Sequence, residues 1–139
     1  MRTMIYIAAL VLLGAGVWLW LRPAGEGPAA GGGATAPADV ILPELSGALL
    51  AGQRGFAAKC ASCHGVGLTG VEGAGPPLLH SYYEPGHHGD GAFFVAVRNG
   101  VRAHHWGFGN MPPVAGLTDA DIAAITAYVR AVQKANGIF

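Results

Sequence analysis

The sequence predicts a small all-α domain with long loops, placed behind one apolar N-terminal helix and a flexible linker. Three observations lead there: an uncharged apolar run from Met4 to Leu21, an almost unbroken Gly/Pro/Ala stretch from Pro23 to Ala38, and helical apolar spacing without strand-like alternation from Val40 onward. The 139 residues leave room for one ordinary domain. Eight Lys and Arg balance eight Asp and Glu, so no basic surface exists to neutralise nucleic-acid phosphates, and that class is excluded. Charged residues make up 12% of the chain and hydrophobic ones 52%, which excludes disorder throughout. The two cysteines lie three positions apart, which excludes a disulfide-stapled scaffold and raises the question of a cofactor.

Taken in order, residues 1–22 read as a transmembrane anchor. The 18 uncharged residues from Met4 to Leu21 would span roughly 27 Å as a helix, with Trp18, Trp20 and Arg22 placed to sit at a membrane interface. A cleavable signal peptide is the competing reading. The run is longer than a typical signal core, and the small-x-small candidate Ala34-Thr35-Ala36 lies far downstream. Arg2 and Arg22 nearly balance, so charge alone does not orient the segment. Residues 23–39 form a linker with an r.m.s. reach of roughly 20–25 Å. Residues 40–139 are the folded domain.

Within that domain, Ser46 is placed to cap a helix running through the cysteine pair, with Leu45, Leu49, Gly52 and Phe56 along one face and Gly52 marking a close approach. A short middle helix is expected over Ala92–Asn99, capped by Asp90 and stopped by Gly100, with Phe93, Phe94 and Val97 facing inward. The last helix starts at a capping box of Thr118 and Asp121, carries Ile122, Ile125, Val129 and Val132 as a stripe, and stops at Gly137. Gly65–Leu79 and Val101–Gly116 read as loops. Three short helices bury little surface, so a large apolar group is expected in the middle.

Cys60-Ala61-Ser62-Cys63-His64 is C-x-x-C-H, the signature of haem attachment. Two thiols three apart on a helical turn can each take one vinyl group of a porphyrin, while the next residue sets an imidazole beneath the iron. A redox dithiol would want a preceding strand and gains nothing from the histidine; half of a zinc site would need more cysteines nearby. Cys60, Cys63 and His64 are therefore read as holding one haem c. Beyond the N-terminal segment the chain has one methionine, Met111, ahead of Pro112 and Pro113, which stiffen its loop. It is the candidate sixth ligand, with loop histidines as rivals and gap filling as the ordinary use of such a residue.

Residues from about Gly52 to Gln133 resemble a class I cytochrome c, the small monohaem electron carrier. The matching features are Gly52 and Phe56 ahead of Cys60–Gly65, then Gly75-Pro76-Pro77-Leu78, then Asn110-Met111-Pro112, then a final helix carrying Tyr128. The resemblance implies that Gly52 and Phe56 meet the Tyr128 region where first and last helices cross. It also implies that the Pro76 carbonyl accepts a hydrogen bond from His64 Nδ1, fixing the ring.

Two features depart from a plain carrier. His80, His87, His88, His104 and His105 crowd into a short stretch. They read as exposed or propionate-bonding residues, as copper or zinc ligands, or as a replacement for Met111 on the iron. Arg98, Arg102 and Trp106 are candidate donors to haem propionates, the competing reading of the arginines being a solvated helix face. Val66, Leu68, Pro112, Pro113 and Val114 form an expected uncharged rim, suited to apolar docking with redox partner proteins. The expectation is an electron carrier and not an enzyme, tethered to the membrane with its haem domain in the periplasm, without small-molecule substrate. The alternatives are a haem subunit of a larger oxidase or dehydrogenase complex and a copper-handling module using the histidine loops.

Overall fold

The computed structural model describes residues 39–139. The expected membrane span and nearly all of the expected linker lie outside the described residues. Among the described residues no helix is long and apolar enough to cross a membrane. These residues are helical, and no strand forms among them; the only sheet-like pairings there are the isolated bridges Val71 to Gly75 and Val101 to Met111.

Helix α1 spans Gly47–Lys59 and α2 spans Ala61–His64. The expected single helix through the cysteines is broken at Cys60, whose φ of −120° is not helical. Ser46 holds the extended N-cap position, yet its side chain makes no capping bond. Helix α3 spans Asp90–Asn99, two residues longer at its start than expected. Gly89, not Asp90, is its cap; Asp90 lies in the first turn and accepts from Arg130 Nε at 2.7 Å. Helix α4 spans Asp119–Ala135 and has the expected capping box, with Thr118 and Asp121 bonded to each other's backbone N–H. It ends in a Schellman turn: Gly137 N–H reaches the Lys134 carbonyl at 3.2 Å and Ile138 N–H the Gln133 carbonyl at 3.0 Å, with Gly137 at φ +80°.

The core is where α1 crosses α4. A Cβ on Gly52 would stand 2.0 Å from the Ala124 carbonyl oxygen and 2.9 Å from Tyr128 Cβ, so backbone packs on backbone. One turn on, the rings of Phe56 and Tyr128 meet at 5.7 Å. Leu68, Leu78, Ile125, Val129 and Val132 complete the cluster. Leu68, expected on an outer rim, is fully buried, and its carbonyl takes the N–H groups of Leu78 and Leu79 at 2.7 and 3.0 Å. Gln133 is also fully buried, with Nε2 donating to the Leu78 carbonyl at 2.8 Å and Oε1 accepting from Arg130 at 2.7 Å. Arg130 lies 4.9 Å over the Phe93 ring and donates to the Tyr83 and His88 carbonyls, so one side chain ties α3 and the loop before it to α4.

Candidate cofactor site

The helices leave a cavity of about 740 Å³ between them, within the span of about 300–1,000 Å³ usual for ligand pockets. Cys60, Cys63 and His64 line it from α2 and its start, Met111 from the long loop after α3, and Phe93, Val97, Ile125 and Val129 from the helices.

The loop after α2 sets His64. Gly65, at φ +75°, turns the chain back so that Gly70 N–H donates to the His64 carbonyl at 2.8 Å. Gly75 then passes so close that a Cβ would lie 2.8 Å from the Cys63 carbonyl oxygen. That approach delivers the next carbonyl, of Pro76, to His64 Nδ1 at 2.9 Å. A carbonyl only accepts, so Nδ1 carries the proton and Nε2 keeps its lone pair. Burial lowers the His64 pKa below the ordinary histidine value, outweighing the Pro76 hydrogen bond that raises it, and keeps the ring neutral and fit to ligate. Burial, followed by the neighbouring Cys63, pushes the Cys60 thiol up to about 11. A redox dithiol needs the opposite shift, so the thioredoxin-like reading finds no support.

Met111 is held by its backbone. Its N–H and C=O pair with those of Val101, both at 2.9 Å, and Asn110 Oδ1 accepts from Ala103 N–H at 2.9 Å. Gly100, at φ +74°, makes room: a Cβ there would meet the Met111 carbonyl oxygen at 2.4 Å. The sequence showed Gly100 as a helix stop; its role as the seat of the methionine loop depends on a contact that only the fold makes.

Trp106 and Arg102 also line the cavity. Trp106 Nε1 is buried and, among the described residues, has no partner at hydrogen-bond geometry, the Tyr83 side chain being its neighbour. Such a donor costs about 1–3 kcal/mol unless something accepts from it, and an acid group in the cavity would do so. Arg98 is a correction. It does not line the cavity; its guanidinium donates to the Leu117 carbonyl at 2.8 Å and pairs with Asp119 at 2.5 Å, stapling α3 to the start of α4. Of the expected apolar rim, Pro112 and Val114 reach the cavity wall. Tyr82 and Tyr83, absent from the sequence-based candidates, carry carbonyls that organise the histidine loop and Arg130.

Two thiols, an imidazole with Nε2 left as its lone pair, a thioether and a buried indole N–H around one largely apolar cavity fit a covalently attached haem. The sequence model of the family described as cytochrome c matches residues 49–133, more than half of the chain. The chain belongs to the cytochrome c family. No curated protein and no solved structure matched it. Membership implies a covalently bound c-type haem and a haem-based electron carrier; cytochrome c domains are in general electron-transfer proteins, though some are parts of enzymes. In this cytochrome c domain Cys60, Cys63 and His64 stand together on the cavity wall, where a covalently bound haem would meet them.

Proposed function

We propose that this chain is a membrane-tethered monohaem electron carrier with His64 and Met111 as the axial ligands, its haem domain lying on the periplasmic side. One haem follows from cysteine arithmetic, since two thiols provide two thioethers. The observation that carries the ligation is that His64 and Met111, the one methionine among the described residues, line the same cavity as Cys60 and Cys63. When bound, the haem supplies a one-electron iron couple, raised in potential by a thioether relative to a second imidazole.

The chain's own residues keep that couple in place. Pro76 fixes the His64 ring through Nδ1. The Val101–Met111 pairing holds the thioether's backbone at a set position, so little ordering is needed when the sulfur ligates. Trp106 and Arg102 offer donors to the propionates. Phe93, Val97 and Ile125 keep water from the cavity and lower its dielectric, a second influence on potential. Tethering rests on the uncharged run Met4–Leu21 and the Gly/Pro/Ala segment after it.

The ligation is tested by optical and redox titration of Met111→Ala. The variant is expected to keep its covalent haem, lose the sulfur-to-iron charge-transfer band and fall in potential. Absence of that band in the parent chain, with a potential unchanged in Met111→Ala, would move the sixth ligand to a histidine.

A further inference from the structure

Beside the cavity, His87 and His88 from the turn before α3 meet His105 from the loop that carries Met111. Ring centroids lie 4.7 Å apart for His87 and His88, 5.2 Å for His87 and His105, and 5.3 Å for His88 and His105. One ligand nitrogen from each ring falls within 4.8 Å of the others. We propose that His87, His88 and His105 form a second metal site, a three-imidazole centre for a divalent ion of the Zn²⁺/Cu²⁺ class.

The geometry carries this in three steps. His87 Nε2 and His105 Nε2 face each other at 3.2 Å. With metal–nitrogen bonds of about 2.0–2.1 Å, two ligands on adjacent corners of a tetrahedron stand about 3.3 Å apart, and on adjacent corners of a square about 2.9 Å. The observed spacing falls between the two. Without an ion, two facing nitrogens must share one proton; an ion uses both lone pairs.

Next, the ligands are oriented from behind. His88 Nδ1 donates to the Tyr82 carbonyl, which leaves Nε2 as its lone pair. The Tyr82 ring in turn stacks on His105 at 4.5 Å, and the His88 carbonyl accepts from Arg130. A carbonyl bonded to the far nitrogen of a histidine is the support that metal-binding imidazoles use. Finally, the set offers neutral nitrogen without carboxylate or thiolate, which suits Zn²⁺ or Cu²⁺ and disfavours Mg²⁺ and Ca²⁺. His87 is exposed and gives the ion a way in. His80 stands outside the set, its Nδ1 accepting the Tyr82 N–H at 3.2 Å.

His88 and His105 also line the cavity, so propionate bonding competes as their use, but His87 does not line it. His87→Ala is therefore the informative variant. The full-length chain as purified is titrated with Zn²⁺ by calorimetry and, with the iron oxidised, with Cu²⁺ by electron paramagnetic resonance. The expected result is one equivalent of Zn²⁺ bound, weakened at least about tenfold in His87→Ala and in His105→Ala and unchanged in His80→Ala, no uptake of Mg²⁺, and nitrogen splittings on Cu²⁺. Absence of saturable uptake, uptake indifferent to both His87→Ala and His105→Ala, or equal loss in His80→Ala would overturn the site. Haem absorbance of the same samples keeps the two readings apart: intact haem without Zn²⁺ binding sinks this inference alone.

Discussion

At the scale of single residues, the best-placed glycine is Gly100. It ends α3 at φ +74°, and a Cβ added there would lie 2.4 Å from the Met111 carbonyl oxygen. Alanine must therefore hold φ +74° with ψ −178°, a conformation essentially reserved to glycine and costing about 1–3 kcal/mol, and also displace the strand-like pairing that seats Met111. Gly100→Ala is expected to lower stability by about 2–3 kcal/mol in denaturant melts and to weaken the charge-transfer band assigned to the sulfur, although Gly100, which lines the cavity, brings no side-chain donor to it. Gly91 is the control. It sits near the start of α3 with nothing within 4 Å of an added Cβ and without positive φ, so Gly91→Ala is expected to be neutral or stabilising by up to about 1 kcal/mol, with an unaltered spectrum. Equal losses in both variants would show that the seat of Met111 is not at Gly100.

At the scale of elements, the crossing of α1 and α4 concentrates the fold's dependence on one missing side chain. Gly52→Ala would set a methyl 2.0 Å from the Ala124 carbonyl oxygen, a backbone atom that cannot rotate away, so the helices must part. The loss is expected to reach or exceed the roughly 1–3 kcal/mol usual for overpacking, with a fall in melting temperature of about 4–8 °C for each kcal/mol; a melt within about 2 °C of the parent would contradict the packing. This crossing was legible in the sequence because it needs only a glycine in an apolar helical stripe, and the capping box of Thr118 and Asp121 was legible because its partners are three residues apart. Asp90 was misplaced for the same locality: its carboxylate goes to Arg130 on another helix, a partner no neighbouring residue announces, and Gly89 caps instead. The break at Cys60 has no local breaker to mark it. The C-x-x-C-H spacing was visible in the sequence and the fold brings Cys60, Cys63 and His64 to one cavity, whereas Arg98 was assigned to the cofactor because helical position does not tell which face meets α4. The histidines were visible as a count, yet only the meeting of two loops separates His87, His88 and His105 from His80.

At the scale of the whole molecule, charge balance and length work together. The chain has equal numbers of cationic and anionic residues, so the proposed carrier would have no strong net charge to draw a partner in and would make contact at close range, through apolar surface such as Pro112 and Val114 at the cavity wall. A carrier of that kind gains from being held near its partners, because confinement by a tether replaces the encounter rate that electrostatic steering would supply. The proposed anchor at residues 1–22 and the linker at 23–39 would do this within roughly 20–25 Å of the bilayer. Two measurements on the same membranes check the pairing. Alkaline carbonate is expected to leave the protein in the pellet, with an intact mass that includes residues 1–22 and one covalent haem. Electron exchange with a membrane partner is expected to change less than about twofold between 50 and 200 mM salt, since little attraction is present for the salt to screen. Release into the supernatant without the N-terminal segment would identify that segment as a cleaved signal, and a steep salt dependence would show that local charge, hidden by the zero sum, governs docking after all.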